Sequence, residues 1–312
     1  TLEHYLGYLA NITAMSEGGH IQPVFGIGLE TELSEREIDH LPGFAGCRPV
    51  RQGNQAAEHQ QHDVYGHIVL ASSQAFFDTR LLHPAGQREF AQLEKVGERG
   101  VMLAGEPDAG IWEYRNRSRV HTSSVLMSWA GCDRLAKIAA HLGLEDRAIH
   151  WRATADQIKR TLIDNAWDPR QQAFTGAYGS SHLDASVLLM AEVGFLPPSD
   201  QRFVATVDAI GRTLRRGDHL LRYSEPDDFG APQNAFIVCT LWYIDALAQI
   251  GRVAEARAMF EAILARRTRL GLLSEDIDPA TGTLWGNFPQ SYSLVGIINA
   301  AARLSRPWTS MV

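Results

Sequence analysis

Apolar side chains recur every three or four positions through most of the chain and rarely alternate, so the pattern predicts helices and little strand. Ten segments carry that period, near residues 1–15, 54–78, 85–104, 118–142, 145–167, 182–193, 200–216, 231–250, 252–269 and 288–304. They are of two kinds. The segment 145–167 places Ala148, Ile149, Ala155, Ile158, Leu162 and Ile163 on one face with charges opposite. The segment 252–269 repeats this with Val253, Ala256, Phe260, Ile263 and Leu264 against Glu255, Arg257 and Glu261. Such amphipathic helices lie at a surface. By contrast AFIVCTLWYIDALAQI (235–250), LDASVLLMAEV (183–193) and LVGIINAAARL (294–304) are apolar nearly all round, the mark of helices surrounded by protein. Alternation of the two kinds predicts two concentric layers of helix hairpins, an all-α toroid. Connections before the buried helices are long (16–53, 105–117, 168–181, 217–230 and 270–287), and long loops in a compact helical domain usually carry function. In this architecture they gather at one end of the toroid. No Gly/Ser/Pro-rich linker interrupts the chain, so residues 1–312 read as one domain.

Net charge is −7, with acids and bases interspersed. That argues against nucleic acid or an anionic membrane as partner, since phosphate binding needs a clustered basic face. Cys47, Cys132 and Cys239 are odd in number and far apart, and the latter two sit in apolar helical surroundings that suit buried free thiols. No stretch approaches the roughly 20 apolar residues of a membrane span. No signal peptide is visible, so a cytoplasmic location of the bacterial type is expected. The chain opens on TLEHYLGYLA without Met, which reads as the middle of a helix and predicts further sequence upstream.

Candidate chemistry concentrates in the loops. DAGIWEYR (108–115) sets Glu113 behind Ile111 and Trp112, and an apolar setting there would raise the carboxyl pKa and keep it protonated as a general acid. GLLSEDIDPATG (271–282) carries Glu275, Asp276 and Asp278, in an acidic, turn-rich setting that lets a carboxylate stay ionised. Two carboxyl groups whose pKa values are pushed apart are what glycoside hydrolysis uses. RYSEPDDFG (222–230) adds Arg222, a fixed donor suited to sugar hydroxyls. Trp112, Tyr223, Phe229, Trp285 and Phe288 supply aromatic faces of the kind on which sugars stack. Each has a plain structural alternative: a Trp-Glu can plug the end of a bundle, and a Ser-Glu-Asp can cap a helix or turn the chain.

Other constellations are thinner. EHQQHDVYGH (58–67) sets His59, His62 and Asp63 at helical spacing, but no remote ligand accompanies them, and neither a metal nor a cofactor is expected. FGIGLE (25–30) is not GxGxxG and lies in no βαβ pattern. Ser123 and Ser124 beside His121 lack a nucleophile elbow and read as the start of a helix. A six-hairpin isomerase or epimerase would want a histidine base, for which His121 and His182 are the candidates, and both read as local structure.

Taken jointly, PVRQGNQAAEHQQHDVYGHI (49–68), GIWEYR (110–115), MSWAGCDRLAKIA (127–139), RYSEPDDFG (222–230), AFIVCTLWYIDALAQIGRVAEARAMFE (235–261) and GLLSEDIDPATGTLWGNFPQSYSLVGIINAA (271–301) resemble the glucoamylase-like glycoside hydrolases of family 15, which also holds bacterial trehalases. The resemblance implies an (α/α)6 barrel and an inverting, exo-acting hydrolase of terminal α-linked glucose on an oligosaccharide or disaccharide. A glucan 1,4-α-glucosidase is the leading expectation and an α,α-trehalase the nearest alternative. It implies Glu113 as general acid and Glu275 as the base activating a water, with Arg222 and Trp112 in the pocket of the sugar next to the scissile bond. Tyr223 and Trp285 complete the expected substrate contacts. The chain departs from the family pattern in three places. Its early Arg-Asp pair has no counterpart, its Ser-Lys after the acid loop is Ser124-Val125, and an amino-terminal β-sandwich is absent. Ten helices against the twelve of a closed barrel predict a first inner helix upstream, and association with that segment or with another copy. A catalytically incomplete sugar-binding remnant is the alternative of another class.

Overall fold

The computed structural model describes residues 2–16, 19–228 and 230–305. Thr1, where the first helix was expected to start, and Phe229, one of the loop aromatics, lie outside the described residues. The chain divides into two compact units, 1–160 and 161–312, and the division falls within a helix.

The first unit holds α1 (Leu2–Met15), α2 (Asp63–Phe77), α3 (Gln87–Leu103), α4 (Thr122–His141) and most of α5 (Glu145–Ala166). α2 crosses α4 so closely that a Cβ on Gly66 would fall 2.1 Å from the Met127 carbonyl oxygen. Only glycine permits that approach. α3 starts where Glu89 reaches back to accept from the Gly86 N–H at 3.0 Å. Its Phe90, Leu93 and Val96 then turn inward, and Phe90 meets Phe76 edge-on at 6.5 Å. Trp151 of α5 is fully buried and donates from Nε1 to Glu94 at 2.6 Å. Asp133 of α4 is buried as well, with Arg134 at 2.6 Å and Lys137 and Arg152 at 2.8 Å. Burial opposes its ionisation, but the hydrogen bonds from Lys137 and Arg152 prevail and hold the carboxyl below the usual range. Between α1 and α2, strands β1 (Arg36–Glu37) and β2 (Arg51–Gln52) pair antiparallel.

In the second unit helices run directly into short hairpins. α5 leads into β3 (Trp167–Asp168), which pairs with β4 (Ala173–Phe174). A 3-10 turn (Ala185–Leu188) and the single-turn α6 (Leu189–Glu192) follow, then α7 (Gln201–Leu214), which leads into β5 (Arg215–Arg216) and its partner β6 (His219–Leu220). Each hairpin is pinned by a threonine of a helix beyond it. The Phe174 N–H donates to Thr206 Oγ1 of α7 at 3.1 Å. The Leu220 N–H donates to Thr240 Oγ1 at 2.9 Å, in a helix introduced next. β7 (Ala235–Phe236) opens α8 (Ile237–Gln249), and α9 (Val253–Leu264) packs back against it. β8 (Asp276–Ile277) is the centre of a three-stranded antiparallel sheet between β7 and β9 (Leu284–Trp285), and α10 (Ser291–Ser305) ends the described chain.

Several expected elements are shorter. The segment 54–78 is helical only from Asp63, after a separate 3-10 turn at Gln55–Glu58. That leaves His59 off the helix that was to carry it beside His62 and Asp63. The expected helix 182–193 is the 3-10 turn and α6, with Asp184 Oδ1 accepting from the Ser186 N–H at 2.8 Å to start it. The segment 231–250 loses its first turns because Ala235 and Phe236 are drawn into the sheet by Ile277 and Asp276. α10 buries Ser293, Gly296, Ala300 and Leu304 but leaves Tyr292, Val295 and Ile298 exposed, so it is covered on one side and not all round. Cys132 and Cys239 are buried free thiols as expected, and Cys47 is exposed. Among the described residues no helix is long and apolar enough to cross a membrane.

Candidate active site

In the first unit the candidate acid sits in a closed loop. Its neck is a two-way bridge, the Asp108 N–H to the Arg119 carbonyl at 2.9 Å and the Arg119 N–H to the Asp108 carbonyl at 3.1 Å. The Ala109 N–H donates to the Gln60 carbonyl at 2.9 Å, which ties the neck to the segment before α2. Inside the loop the Glu113 N–H donates to the Gly110 carbonyl at 3.1 Å and the Tyr114 N–H to the Ala109 carbonyl at 3.0 Å. This tight winding puts Glu113 at φ 59, a left-handed conformation uncommon for a residue with a Cβ. The Glu113 side chain is exposed and Trp112 is half-buried. The expected apolar enclosure of the carboxyl by Ile111 and Trp112 is therefore not formed, for Glu113 is exposed.

What is buried lies beneath. The Asp108 Oδ2 accepts from the His62 N–H at 2.8 Å and the Ser124 hydroxyl at 2.7 Å. Burial raises the Asp108 pKa against the pull of those two donors. His121 caps α4 and is buried, and its ring stacks on Tyr114 at 5.5 Å and 13°. Burial pushes the imidazole pKa down. On the outer side Arg115 forms a two-pronged pair with Glu35, at 3.0 and 3.4 Å, and Arg51 meets the same carboxylate at 3.0 Å. The Arg115 hydrogen bond, ahead of every other influence, holds the Glu35 carboxyl below its usual range. The long loop before α2 is thus fastened two residues from Glu113. Sequence reading missed Asp108, Glu35 and Arg115, and the only available signal was charge of opposite sign in two long loops.

In the second unit Glu275 precedes β8 and is built into the sheet. The Ile237 N–H donates to its carbonyl at 2.9 Å, and its own N–H donates to the Asn287 carbonyl at 2.9 Å. Its Oε2 accepts from the Asn287 backbone N–H and side-chain amide, both at 3.1 Å. A Cβ on Gly286 would fall 2.8 Å from that oxygen, so the turn after β9 is kept clear for it. The register sets Asp276 opposite Phe236 on one side and opposite Trp285 on the other. Trp285 is half-buried beside the carboxylate pair.

Arg222 lies over the rings of Tyr223, at 4.9 Å, and Phe236, at 5.5 Å, and pairs with Asp227 through Nη2 at 3.0 Å. Tyr223 is buried with its hydroxyl donating to the same Asp227 oxygen at 2.6 Å, so its contribution to the site runs through Arg222. The carboxyl groups of the acidic loop differ in setting. Asp278 is held low by the Thr281 hydroxyl and the backbone at Ala280. Asp276 is lifted to about 7, first by burial and then by the Glu275 charge, against the pull of Arg222. Arg222, Tyr223, Glu275 and Trp285 are therefore brought together around one sheet, and Trp112 and Glu113 around one loop. His182 is an exposed residue 3.7 Å from Glu225.

The model of glycosyl hydrolases family 15 matches residues 8–302. A trehalase of Mycobacterium tuberculosis is 35% identical over 97% of this chain and 45% of its own length. The chain spans about half the length of the curated relatives it matches. Among solved structures, a glycosidase variant in complex with glucose superposes with a TM-score of 0.68 at 18% identity, over 86% of this chain and 74% of that one. A bacterial glucoamylase complexed with acarbose superposes with a TM-score of 0.62 at 15% identity, over 84% and 42%. At such identities the likeness is one of fold, and it is the (α/α)6 class that the family resemblance implied, in keeping with the all-α toroid expected from the helix pattern.

Proposed function

The chain belongs to glycosyl hydrolase family 15, and we propose that it carries the active site of an inverting α,α-trehalase, with both units forming one catalytic domain. The observation that carries the substrate is that the curated relatives matched along nearly the whole chain are trehalases. A glucan 1,4-α-glucosidase, the leading expectation from the sequence, has in its favour a likeness of fold to glucoamylases at 13% and 15% identity. The trehalase reading therefore takes its place.

In the proposed reaction the Glu113 carboxyl protonates the glycosidic oxygen as the anomeric C–O bond breaks. A water attacks the anomeric carbon from the opposite face, and Glu275 takes its proton. Glu113 ends ionised and Glu275 protonated, and solvent restores both. Inversion calls for carboxyl groups separated by about 6.5–9.5 Å. The exposed Glu113 is consistent with a donor that is desolvated by the sugar and not by the fold, with Trp112 as the pocket wall. Two amide donors on one Glu275 oxygen aim the carboxylate. Arg222 binds sugar hydroxyls, held by Asp227 and supported by Tyr223, and Trp285 lines the same side.

The test is substrate choice in the full-length protein. Release of glucose from trehalose and not from maltose is the expected result. Cleavage of maltose in preference to trehalose returns the glucosidase reading, and binding of glucose without turnover of either disaccharide returns the sugar-binding remnant.

A further inference from the structure

Gly110 and Tyr114 flank Glu113 on either side, and both rest on one imidazole. Gly110 has φ 66, and a Cβ on it would fall 2.7, 2.8 and 2.9 Å from Cδ2, Cγ and Nε2 of His121. The loop backbone is therefore laid directly on the ring with no room for a side chain between. Tyr114 lies nearly parallel to the same ring, 13° between planes and 5.5 Å between centres. Tyr114 is itself buried, so the stack is not a surface accident.

The Nε2 of His121 is buried without a hydrogen-bond partner among the described residues, and His121 makes no side-chain cap for the helix it begins. A buried histidine that spends a ring nitrogen on nothing is valued for shape and not for a proton. The groups that face it act in opposition. Asp108 from the loop neck and Asp63 from α2 favour the charged ring, and Arg119 and Arg117 from the loop oppose it. Burial outweighs them all and lowers the pKa of the ring.

We propose that His121 is a positioning residue for the proton donor, its flat ring forming the floor on which Gly110 and Tyr114 seat the loop and so fix Glu113. The proposal rests on the reading of Glu113 as general acid. A floor that gives way moves the carboxyl without touching substrate, so it lowers kcat and leaves KM nearly alone. Displacement of a catalytic group by about 1 Å can cost about 100-fold.

Three variants of the full-length protein test it: His121→Ala, His121→Phe and Glu113→Gln, each checked for folding by circular dichroism. Two readouts are taken, turnover of trehalose and the rate of trypsin cleavage at Arg115 and Arg117, which needs no activity. His121→Ala is expected to lose about 30- to 100-fold in kcat, with KM within about threefold, and to be cut about tenfold faster in the loop. His121→Phe restores a flat ring and is expected to recover kcat to within about fivefold, with parental cleavage. Near-parental kcat and cleavage in His121→Ala would overturn the proposal. So would a folded His121→Phe as impaired as His121→Ala, since the nitrogens and not the ring would then matter. Should His121→Ala not fold, the His121→Phe result decides alone. A fully active Glu113→Gln sinks the reading of the acid instead, and the cleavage rates still report on the floor.

Discussion

Arg222 and Asp227 form a part-buried ion pair, Nη2 to Oδ2 at 3.0 Å, and the Tyr223 hydroxyl donates to that same oxygen at 2.6 Å. The guanidinium is thereby fixed over two aromatic rings. Asp227→Asn keeps the shape but weakens both bonds. KM for trehalose is expected to rise about tenfold, equivalent to about 1.4 kcal/mol, with kcat changed much less. An unchanged KM would show that Arg222 holds its place without Asp227.

Glu35 grips Arg115 two residues beyond the candidate acid. Glu35→Gln removes the charge and leaves the volume. A partly exposed pair contributes about 0–1 kcal/mol to stability, so Tm should scarcely move. Turnover should fall several-fold, because the loop loses its outer anchor. Equal kcat in variant and parent would confine the pair to holding the long loop.

Gly66→Ala tests the core. A methyl group 2.1 Å from the Met127 carbonyl oxygen forces α2 and α4 apart. The expected cost is about 1–3 kcal/mol, read as a lower Tm. A Tm equal to the parent's would mean that the crossing is looser than it is here.

Asp276 sets a pH dependence. In an unfolded chain aspartate titrates near about 3.9. In the fold burial and then Glu275 lift it to about 7. Between those values the folded protein retains a proton that the unfolded chain has released. This group's contribution to stability therefore declines as pH rises from about 4 to about 7 and levels off above. The slope is at most about 1.4 kcal/mol per pH unit. Unfolding midpoints in urea from pH 4 to pH 8 should be flatter in Asp276→Asn than in the parent. Identical profiles would remove Asp276 as the source.

The amphipathic helices were the most legible part of the chain. α5 lies within one residue of where its period places it, although Ile149 of its expected apolar face is exposed, and α9 ends at Leu264, five residues short of the segment its period marks. The apolar runs were less informative. LDASVLLMAEV satisfies burial in any backbone, so its periodicity could not distinguish a helix from the 3-10 turn that forms. Ala235 and Phe236 leave α8 for a sheet whose other strand is some 40 residues away, beyond any local pattern. Of the candidate site, the residue types and their loops could be read. The setting of Glu113 could not, since a left-handed φ separates a side chain from its sequence neighbours. Nor could Asp276 be told from Asp278: one is enclosed by the sheet and the other satisfied by Thr281, and only the fold distinguishes them.

The central claim is inversion by Glu113 and Glu275 on trehalose, and the anomeric form of the glucose first released tests it most directly. Proton NMR of the full-length protein acting on trehalose should show α- and β-glucose appearing in equal amounts before mutarotation, one from the leaving half and one from the attacked half. Glu113→Gln and Glu275→Gln should each slow both signals by at least about 100-fold. Release of α-glucose alone, or undiminished release by either variant, would contradict the account.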